Sequence, residues 1–230
     1  MMQTQRSDLA QLSATVIDLL PKLSEREQVI SLGLYRLLAE GLPVSRQRLA
    51  AALNLPVDMI KETLAQWWGV YYDGEERVTG YWGLALPQMA HRFLIDGKTL
   101  YAWCAWDTLF IPELLGQTVR VESNCPKTRR KIKLTVAPQG VSDLDPPGAV
   151  MSLLTPEAAQ VRENVVANFC HYVHFFHSSE AGENWISEHP GTFLLSIEEA
   201  YVLGKVKNAA QYKDALAQET SVRANADKRS

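Results

Sequence analysis

The chain has 230 residues, of which 47% are hydrophobic, a formal net charge of -3 at pH 7 and a pI near 6.0. This length can bury one hydrophobic core and supply a smaller module. The slightly acidic charge argues against a nucleic-acid-binding protein, because such proteins usually carry a strongly basic face.

The N-terminal region predicts helices. Residues 1–22 are expected to be loosely ordered or to form one short helix. A clear helix follows, because Ser24 and Glu27 have the spacing of a capping box and Gly41 can end the helix. Ser45 is expected to cap a short second helix.

A third helix and a hairpin complete this region. Pro56 can occupy the first helical position, and the helix should end before Gly69. An Asp-Gly pair then marks a turn, and alternation over residues 78–86 predicts a strand. Three helices followed by a hairpin are the outline of a winged helix-turn-helix, so we expect a winged-helix-like module at residues 1–86.

The charge of the third helix argues against DNA binding by this module. Lys61 is its only basic residue, and Asp58 and Glu62 oppose it. Because phosphate contacts need Lys and Arg, this helix would repel a nucleic-acid backbone about as much as attract it. We therefore interpret the helices as a structural module that covers a catalytic core.

Residues 87–230 predict a second domain with a mixed or antiparallel sheet and flanking helices. Strands are expected at 91–95, 98–101, 118–123, 131–136, 149–154 and 170–176. Helices are expected over 103–115, from Thr155 onward, and from Ser196 to about Lys207. A proline-containing loop should span 138–148, and the tail from about Gln211 should be frayed. Helices and strands cluster rather than alternate, which predicts the α+β class.

No pattern typical of a secreted or membrane protein is found. No N-terminal segment combines a charged region with a long apolar run, so we expect no signal peptide. No window reaches about 18 uninterrupted apolar residues, so we expect no membrane span. The three cysteines are an odd number and widely spaced, which predicts free thiols in a reducing cytoplasm.

One short segment places a thiol near a carboxylate. Residues 100–110 are Leu-Tyr-Ala-Trp-Cys-Ala-Trp-Asp-Thr-Leu-Phe. In a helix, Cys104 and Asp107 would lie on one face, one turn apart. A helix N-terminus would lower the pKa of Cys104 and favour the thiolate, which binds soft metals. Burial would raise the pKa of Asp107. Such a pair suits the cleavage of a carbon–metal bond, although a packed cysteine and an ion-paired aspartate remain alternatives.

A second cysteine lies in a segment that predicts a short, mostly buried strand. Residues 168–176 are Asn-Phe-Cys-His-Tyr-Val-His-Phe-Phe. A cysteine in a buried strand is usually a packing residue. Alternation along the strand does not establish which face would meet Cys104, so these residues leave the role of Cys170 open.

The two cysteine segments together resemble the organomercurial lyases (alkylmercury lyases) of bacterial mercury resistance. The motifs Tyr-Ala-Trp-Cys-Ala-x-Asp-Thr-Leu and Phe-Cys-x-x-Val-His-Phe-Phe are the specific part of the resemblance. Arg-Val-Glu-Ser-Asn-Cys at 120–125 and Gly-Leu-Pro-Val-Ser-Arg at 41–46 are also similar to the family. The similarity runs from about residue 23 to about residue 204.

The resemblance implies that Cys104, Asp107 and Cys170 are the catalytic residues and also the ligands of mercury. Two thiolates would bind mercury, and Asp107 would protonate the bound carbon to release a hydrocarbon and mercury(II). Mercury is then substrate and product, and no cofactor is implied. Because two thiolates hold mercury tightly, release is expected to need external low-molecular-weight thiols or a dithiol partner. The resemblance implies mercuric reductase as that partner, and neither nucleic acid nor a membrane is expected.

The remaining candidate residues have less specific interpretations. The resemblance implies that Cys125 is structural, with metal relay as the alternative. Apolar pocket walls are expected from Trp103, Trp106 and Phe169, which core packing explains as well.

Two further patterns have simple explanations. His171, His174 and His177 argue only weakly for zinc with Cys170, because strand alternation would stop them converging. The basic run at 127–133 is most simply a solvated hairpin, with a docking face for a partner as the alternative.

Two rival functions use the same cysteines. The first is a winged-helix regulator that senses soft metals, which the acidic third helix and the long C-terminal region oppose. The second is a metal-binding chaperone without turnover. Asp107 separates the chaperone from a lyase, because storage of a metal needs no proton donor beside the sulfur atoms.

Overall fold

The computed structural model describes residues 12–15, 17, 21–155 and 163–216. In these residues the chain forms two antiparallel sheets flanked by helices, which confirms the α+β class. Most of the first 22 residues, and the helix expected after Thr155, lie outside the described residues. No helix in the described part of the chain is long and apolar enough to cross a membrane.

After helical residues at 12–15 and 17, three helices follow in the described chain, as the sequence predicts. They are α1 (Glu25–Ala39), α2 (Arg46–Leu53) and α3 (Val57–Gln66). The Ser24 side chain accepts a hydrogen bond from the Glu27 N–H, and the Glu27 carboxylate accepts one in return, which confirms the capping box. The Ser45 hydroxyl caps α2 by accepting the Arg48 N–H. Pro56 lies at the cap of α3 rather than within its first turn.

The larger sheet has eight antiparallel strands. They are β1 (Val70–Tyr72), β2 (Val78–Tyr81), β3 (Leu84–Ala85), β4 (His91–Ile95), β5 (Lys98–Ala102), β6 (Val119–Asn124), β7 (Lys131–Ala137) and β8 (Gly140–Asp145). Their order in the sheet is β1-β2-β3-β5-β4-β6-β7-β8. Because β3 pairs with β5, the hairpin that follows the three helices is continuous with the rest of this sheet.

Strand β8 corrects the expected loop at 138–148. Ala137 pairs with Gly140 across a tight turn, and β8 then runs antiparallel to β7. The three prolines of the segment lie in the turn or after the strand, at Pro138, Pro146 and Pro147. Proline lacks a backbone N–H, so its exclusion from the strand itself leaves the ladder intact.

In the part of the chain that the structure describes, a smaller sheet and four further α-helices complete the fold. The strands are β9 (Val150–Leu154), β10 (Phe175–Phe176) and β11 (Thr192–Ser196), in the order β10-β9-β11. The helices are α4 (Asp107–Leu115), α5 (Val165–Asn168), α6 (Ser179–Ile186) and α7 (Ile197–Gln211). Helix α6 and strand β11 were not predicted from the sequence. The expected frayed tail is wrong up to residue 216, because Tyr212 and Ala215 are buried.

The expected strand at 170–176 is also wrong. Cys170–Tyr172 is a short 3-10 helix, and only Phe175 and Phe176 pair as a strand. The Ser152 hydroxyl donates to the Tyr172 carbonyl and accepts the His174 N–H, so one side chain replaces the missing ladder bonds. Because that partner lies far away in the sequence, the local pattern could not reveal this turn.

Helix α4 is buried in the middle of the protein. Helices α1 and α7 both pack against it. A Cβ atom added at Gly204 of α7 would lie 2.9 Å from the Phe110 Cβ, so a residue without a side chain permits this close approach. The Asn208 side chain of α7 donates to the Phe110 carbonyl at 2.9 Å. Side chains at the start of α4 are therefore attached to a buried and closely packed helix.

Candidate active site

The Cys104 segment is a turn that leads into α4, so the helix begins three residues later than Cys104. The Cys104 N–H donates to the Asp107 Oδ2 at 2.8 Å, and the Thr108 hydroxyl donates to the Ala105 carbonyl at 2.6 Å. The Trp103 N–H donates to the Gly83 carbonyl at 2.9 Å. These bonds fix the thiol and the carboxylate on one turn of backbone.

Cys170 lies next to the turn that carries Cys104, although it comes from a distant segment of the chain. The Ala105 N–H donates to the Val173 carbonyl at 3.1 Å, which joins the two cysteine segments directly. One ligand atom from each of Cys104, Asp107 and Cys170 lies within 4.8 Å of the others. The two thiols and the carboxylate predicted from the sequence therefore form one cluster in the structure.

The cluster is almost fully shielded from solvent. The exposed fractions of Cys104, Cys170 and Asp107 are 0%, 4% and 6%. The backbone of Gly83 covers the carboxylate, since an added Cβ would lie 2.5 Å from the Asp107 Oδ1. Gly83 also has a φ of +101°, which favours glycine. Gly83 could not be identified from the sequence, because its only signal there is a glycine within a strand pattern.

Burial controls the protonation of the cluster. It raises the pKa of the Cys104 thiol well above the usual value, and contact with Cys170 and the charge of Asp107 act in the same direction. Hydrogen bonding with Cys104 lowers the pKa of Cys170, but burial and Asp107 outweigh it and the net shift is upward. The expectation of a thiolate at Cys104, promoted by a helix N-terminus, is therefore wrong for the metal-free site.

The carboxylate behaves as the sequence predicts. Burial raises the pKa of Asp107 from 3.8 to about 6, although hydrogen bonds from Cys104 and the charge of Lys207 oppose the shift. Lys207 is a buried cation of α7 with its Nζ 3.9 Å from the centre of the Phe110 ring. Burial lowers the pKa of Lys207 to about 7. Lys207 could not be identified from the sequence, because a single lysine in a helix pattern gives no signal of burial.

A cavity of about 560 Å³ lies beside the cluster. Cys170 forms part of its wall. Of the three wall residues expected from the sequence, Trp103 lines the cavity, whereas Trp106 and Phe169 do not. The Trp106 ring nitrogen instead donates to the Ala200 carbonyl at 3.0 Å, and its ring packs against Phe110 and Phe169. Trp106 is therefore a packing residue between α4 and α7.

Cys125 lies apart from this cluster, in the turn between β6 and β7. It is buried, and its N–H donates to the Arg130 carbonyl at 2.9 Å. Burial tends to raise its pKa, but hydrogen bonds from Thr128 and His177 outweigh burial and lower the pKa to about 7. The neighbouring Lys127 forms an ion pair with Glu188 at 2.7 Å.

The histidines do not form a metal site with Cys170. Among the described residues, Cys104, Asp107 and Cys170 are the one group of three or more possible metal ligands that converge, and no histidine belongs to it. His177 faces Thr128, with 3.2 Å between the His177 Nδ1 and the Thr128 Oγ1. His171 and His174 line the cavity instead.

Comparisons with known proteins agree with the resemblance. The alkylmercury lyase family model matches residues 84–207. An alkylmercury lyase of Staphylococcus epidermidis is 44% identical over 173 residues, covering 75% of this chain and 78% of that protein. That of Bacillus cereus is 40% identical over 173 residues, with coverage of 75% and 78%. That of Pseudomonas putida is 42% identical over 171 residues, with coverage of 74% and 79%.

A solved structure supports the fold. The crystal structure of the mercury-bound form of MerB2 superposes with a TM-score of 0.69 and 22% sequence identity. The match covers 89% of this chain and 99% of that chain. It supports the mixed helix-and-sheet fold described above.

Proposed function

The chain belongs to the alkylmercury lyase family, and from this premise we propose that Cys104, Asp107 and Cys170 cleave the carbon–mercury bond of an organomercurial. One observation carries the proposal: two thiols and one carboxylate converge within 4.8 Å in a buried site. The family assignment favours a lyase over a metal-sensing regulator.

The donor set suits mercury as a substrate. Thiolates are soft ligands and prefer soft metals, whereas hard cations prefer oxygen ligands. Two sulfur donors would supply the electron density that makes the mercury-bound carbon more basic. A single carboxylate beside them is the group needed to carry a proton to that carbon.

The protonation of the site supports an ordered sequence of proton transfers. At neutral pH both thiols hold protons, because their pKa values are raised. Asp107 is mostly ionised, because its pKa of about 6 still lies below neutrality. A substrate that arrives bound to an external thiolate exchanges this ligand for one site thiol, whose proton leaves with the external thiol. The second thiol transfers its proton to Asp107 and becomes the second sulfur ligand.

Cleavage then uses the proton that Asp107 has received. Asp107 delivers it to the carbon, and the electron pair of the carbon–mercury bond becomes the new carbon–hydrogen bond. The hydrocarbon leaves, and mercury(II) remains on Cys104, Cys170 and the carboxylate of Asp107. No electron donor is required, since the oxidation state of mercury does not change.

The buried position of the cluster assists each step. Low water content strengthens the interaction of mercury with the two sulfur atoms and prevents the loss of the proton to solvent. The Cys104 N–H holds the Asp107 carboxylate in place at 2.8 Å. A fixed carboxylate needs little reorganisation when it delivers its proton.

Product release requires a second thiol source. Two thiolates hold mercury(II) tightly, so we propose that excess low-molecular-weight thiol or mercuric reductase takes the metal from the site. Mercury is the substrate and product in this scheme, and no further cofactor takes part. The three free cysteines fit a reducing compartment, which supports a cytoplasmic location.

We propose a structural role for the N-terminal region. Helices α1 to α3 and the β1–β2 hairpin have the outline of a winged-helix-like module, which we place at residues 1–86, with the catalytic domain at 87–230. Helix α3 carries Asp58 and Glu62 with Lys61, a charge pattern that does not favour DNA. Packing of α1 against α4 supports a structural role for this module.

The deciding experiment measures benzene released from phenylmercury in excess thiol. The wild-type protein should release benzene, and Cys170→Ala should release none, because a single thiol cannot activate the carbon. Asp107→Asn should still bind the mercurial but release no benzene. Undiminished release by either variant would remove that residue from the mechanism, and binding without release by the wild type would favour a metal-binding chaperone.

A further inference from the structure

The cavity beside Cys170 has a wall formed by neighbouring strands of the larger sheet. Tyr71 of β1 pairs with Gly80 of β2, and Gly80 pairs with Ala85 of β3. Directly paired residues of adjacent strands project from the same face of a sheet. All three residues line the cavity. The two small residues leave room next to Tyr71, and this room is part of the cavity.

Trp103 closes one side of this wall. Its ring meets the Tyr71 ring edge to face, with the centroids 5.1 Å apart and the planes at 84°. The Trp103 backbone N–H is bound to the Gly83 carbonyl, and the next residue in the chain is Cys104. The aromatic wall is therefore attached to the same turn that carries the Cys104 thiol.

Gly80 leaves space at this wall of the cavity, because it has no side chain. An added Cβ would lie 3.5 Å from the Tyr71 Cβ and 3.6 Å from the Trp103 Nε1, which are ordinary contact distances. Alanine would fit at this position without strain. Its methyl group would occupy part of the space beside Tyr71 and Trp103.

Polar groups also line the cavity. They include the rings of His91, His171 and His174. The His91 Nδ1 is 2.8 Å from the Ser123 hydroxyl, and the His174 Nε2 is 2.7 Å from the His171 carbonyl. An apolar group that extends from Cys170 into the cavity can pack against the rings of Tyr71 and Trp103.

We propose that the organic group of the substrate packs against Tyr71, Gly80 and Trp103, and that this wall makes the enzyme prefer arylmercurials to methylmercury. The inference rests on the proposed function, because it requires mercury to be bound at Cys170. A flat aryl ring can contact both aromatic side chains at once, whereas a methyl group is too small to do so. This wall therefore determines which organic group is preferred, whereas the cysteines and Asp107 cleave the carbon–mercury bond.

The test compares phenylmercury with methylmercury by the ratio of their kcat/KM values for hydrocarbon release. Tyr71→Ala should lower the phenyl-to-methyl ratio by about three- to tenfold, since it removes one aromatic contact of the ring. Gly80→Ala should also lower the ratio, because its methyl group narrows the space for a ring. Tyr71→Phe should keep the ratio within about twofold of wild type, since the ring is retained.

Tyr72→Ala is the matched control. Tyr72 is the next residue of β1, is 40% exposed compared with 43% for Tyr71, and does not line the cavity. It should leave the ratio unchanged, and its thermal unfolding provides the reference for the other variants.

The outcomes separate this inference from the proposed function. An unchanged ratio in both Tyr71→Ala and Gly80→Ala would overturn the inference while wild-type turnover continued to support the lyase. An equal fall in Tyr72→Ala would also overturn it, by attributing the effect to strand β1 as a whole. Absence of hydrocarbon release from both substrates by the wild type would instead reject the proposed function.

Discussion

The cysteines of this protein occupy two regions with opposite thiol chemistry. Cys104 and Cys170 face each other and Asp107, and the pKa values of both thiols are raised. Cys125 is also buried, but in a hairpin turn where Thr128 and His177 stabilise the thiolate and lower the pKa to about 7. Burial alone therefore does not set the state of a thiol, because hydrogen-bond donors can outweigh it.

The candidate active site differs from the Cys125 region because its thiols lie next to Asp107. Cys125 is the cysteine with the lowered pKa, yet it is not in the cluster with Asp107. The cluster instead combines two protonated thiols with a carboxylate that can accept a proton. A bound metal ion favours the thiolate, so mercury itself can displace the protons that burial retains. The proton supply, rather than a resting thiolate, is the feature that suits protonolysis.

The largest predicted difference between the two regions concerns turnover. Cys104→Ala should lower kcat/KM for benzene release by at least about a thousandfold, because residues that act as a unit are each essential. Cys125→Ala should keep turnover within about tenfold of wild type and lower the free energy of unfolding by about 1–2 kcal/mol, as its hydrogen bonds are lost. Initial rates and urea unfolding provide the two measurements. Loss of turnover in a folded Cys125→Ala protein would contradict the division into two regions.

The pH dependence of turnover also distinguishes the Cys104–Asp107–Cys170 cluster from the Cys125 region. The pKa of Asp107 is about 6, so the carboxyl group is increasingly protonated below that pH and cannot accept the proton of a thiol. We expect kcat/KM to fall about tenfold per pH unit below this value and to be flat above it. Benzene release between about pH 4.5 and 8 in constant excess thiol would measure the profile.

Cys125→Ala again supplies the control for the pH profile. The pKa of the Cys125 thiol is about 7, so participation of this thiol would add an inflection near that pH. Cys125→Ala should therefore give the same profile as the wild type. An inflection near neutrality that disappears in this variant would show that Cys125 takes part in the reaction.

The smallest predicted effect is on stability. The pKa of Asp107 is raised from 3.8 to about 6 in the folded protein, so the folded state binds more protons than the unfolded state between these pH values. This group therefore lowers stability as pH rises through that window, and the cost is fully present above it. Asp107→Asn should raise the free energy of unfolding by up to about 3 kcal/mol near neutral pH, with the gain disappearing below about pH 4.

Urea unfolding of wild type and Asp107→Asn at both pH values would measure this effect. A gain of the same size at both pH values would point to a packing effect rather than to the buried charge. Together with Cys125→Ala, the experiment should show opposite signs in the two regions. Asp107 would lower the stability of the folded protein, whereas Cys125 would increase it.

Much of the fold could be predicted from local patterns. The capping box at Ser24 and the alternation in β4 to β7 indicate elements whose signals lie within a few residues. Prediction failed where a distant partner decides the backbone. Ser152 replaces strand pairing next to Cys170, and pairing with β7 turns a proline-containing segment into β8.

The candidate site shows the same division between local and distant information. The sequence alone identified the candidate reactive groups, since the spacing of Cys104 and Asp107 and the similarity of both cysteine segments to a known family are properties of the chain. Only the tertiary structure decided that Cys170 meets them, that Gly83 covers the carboxylate, and that both thiols hold their protons. The physical reason is that burial and the proximity of distant segments, which set the pKa values and assemble the cluster, arise only when the chain has folded.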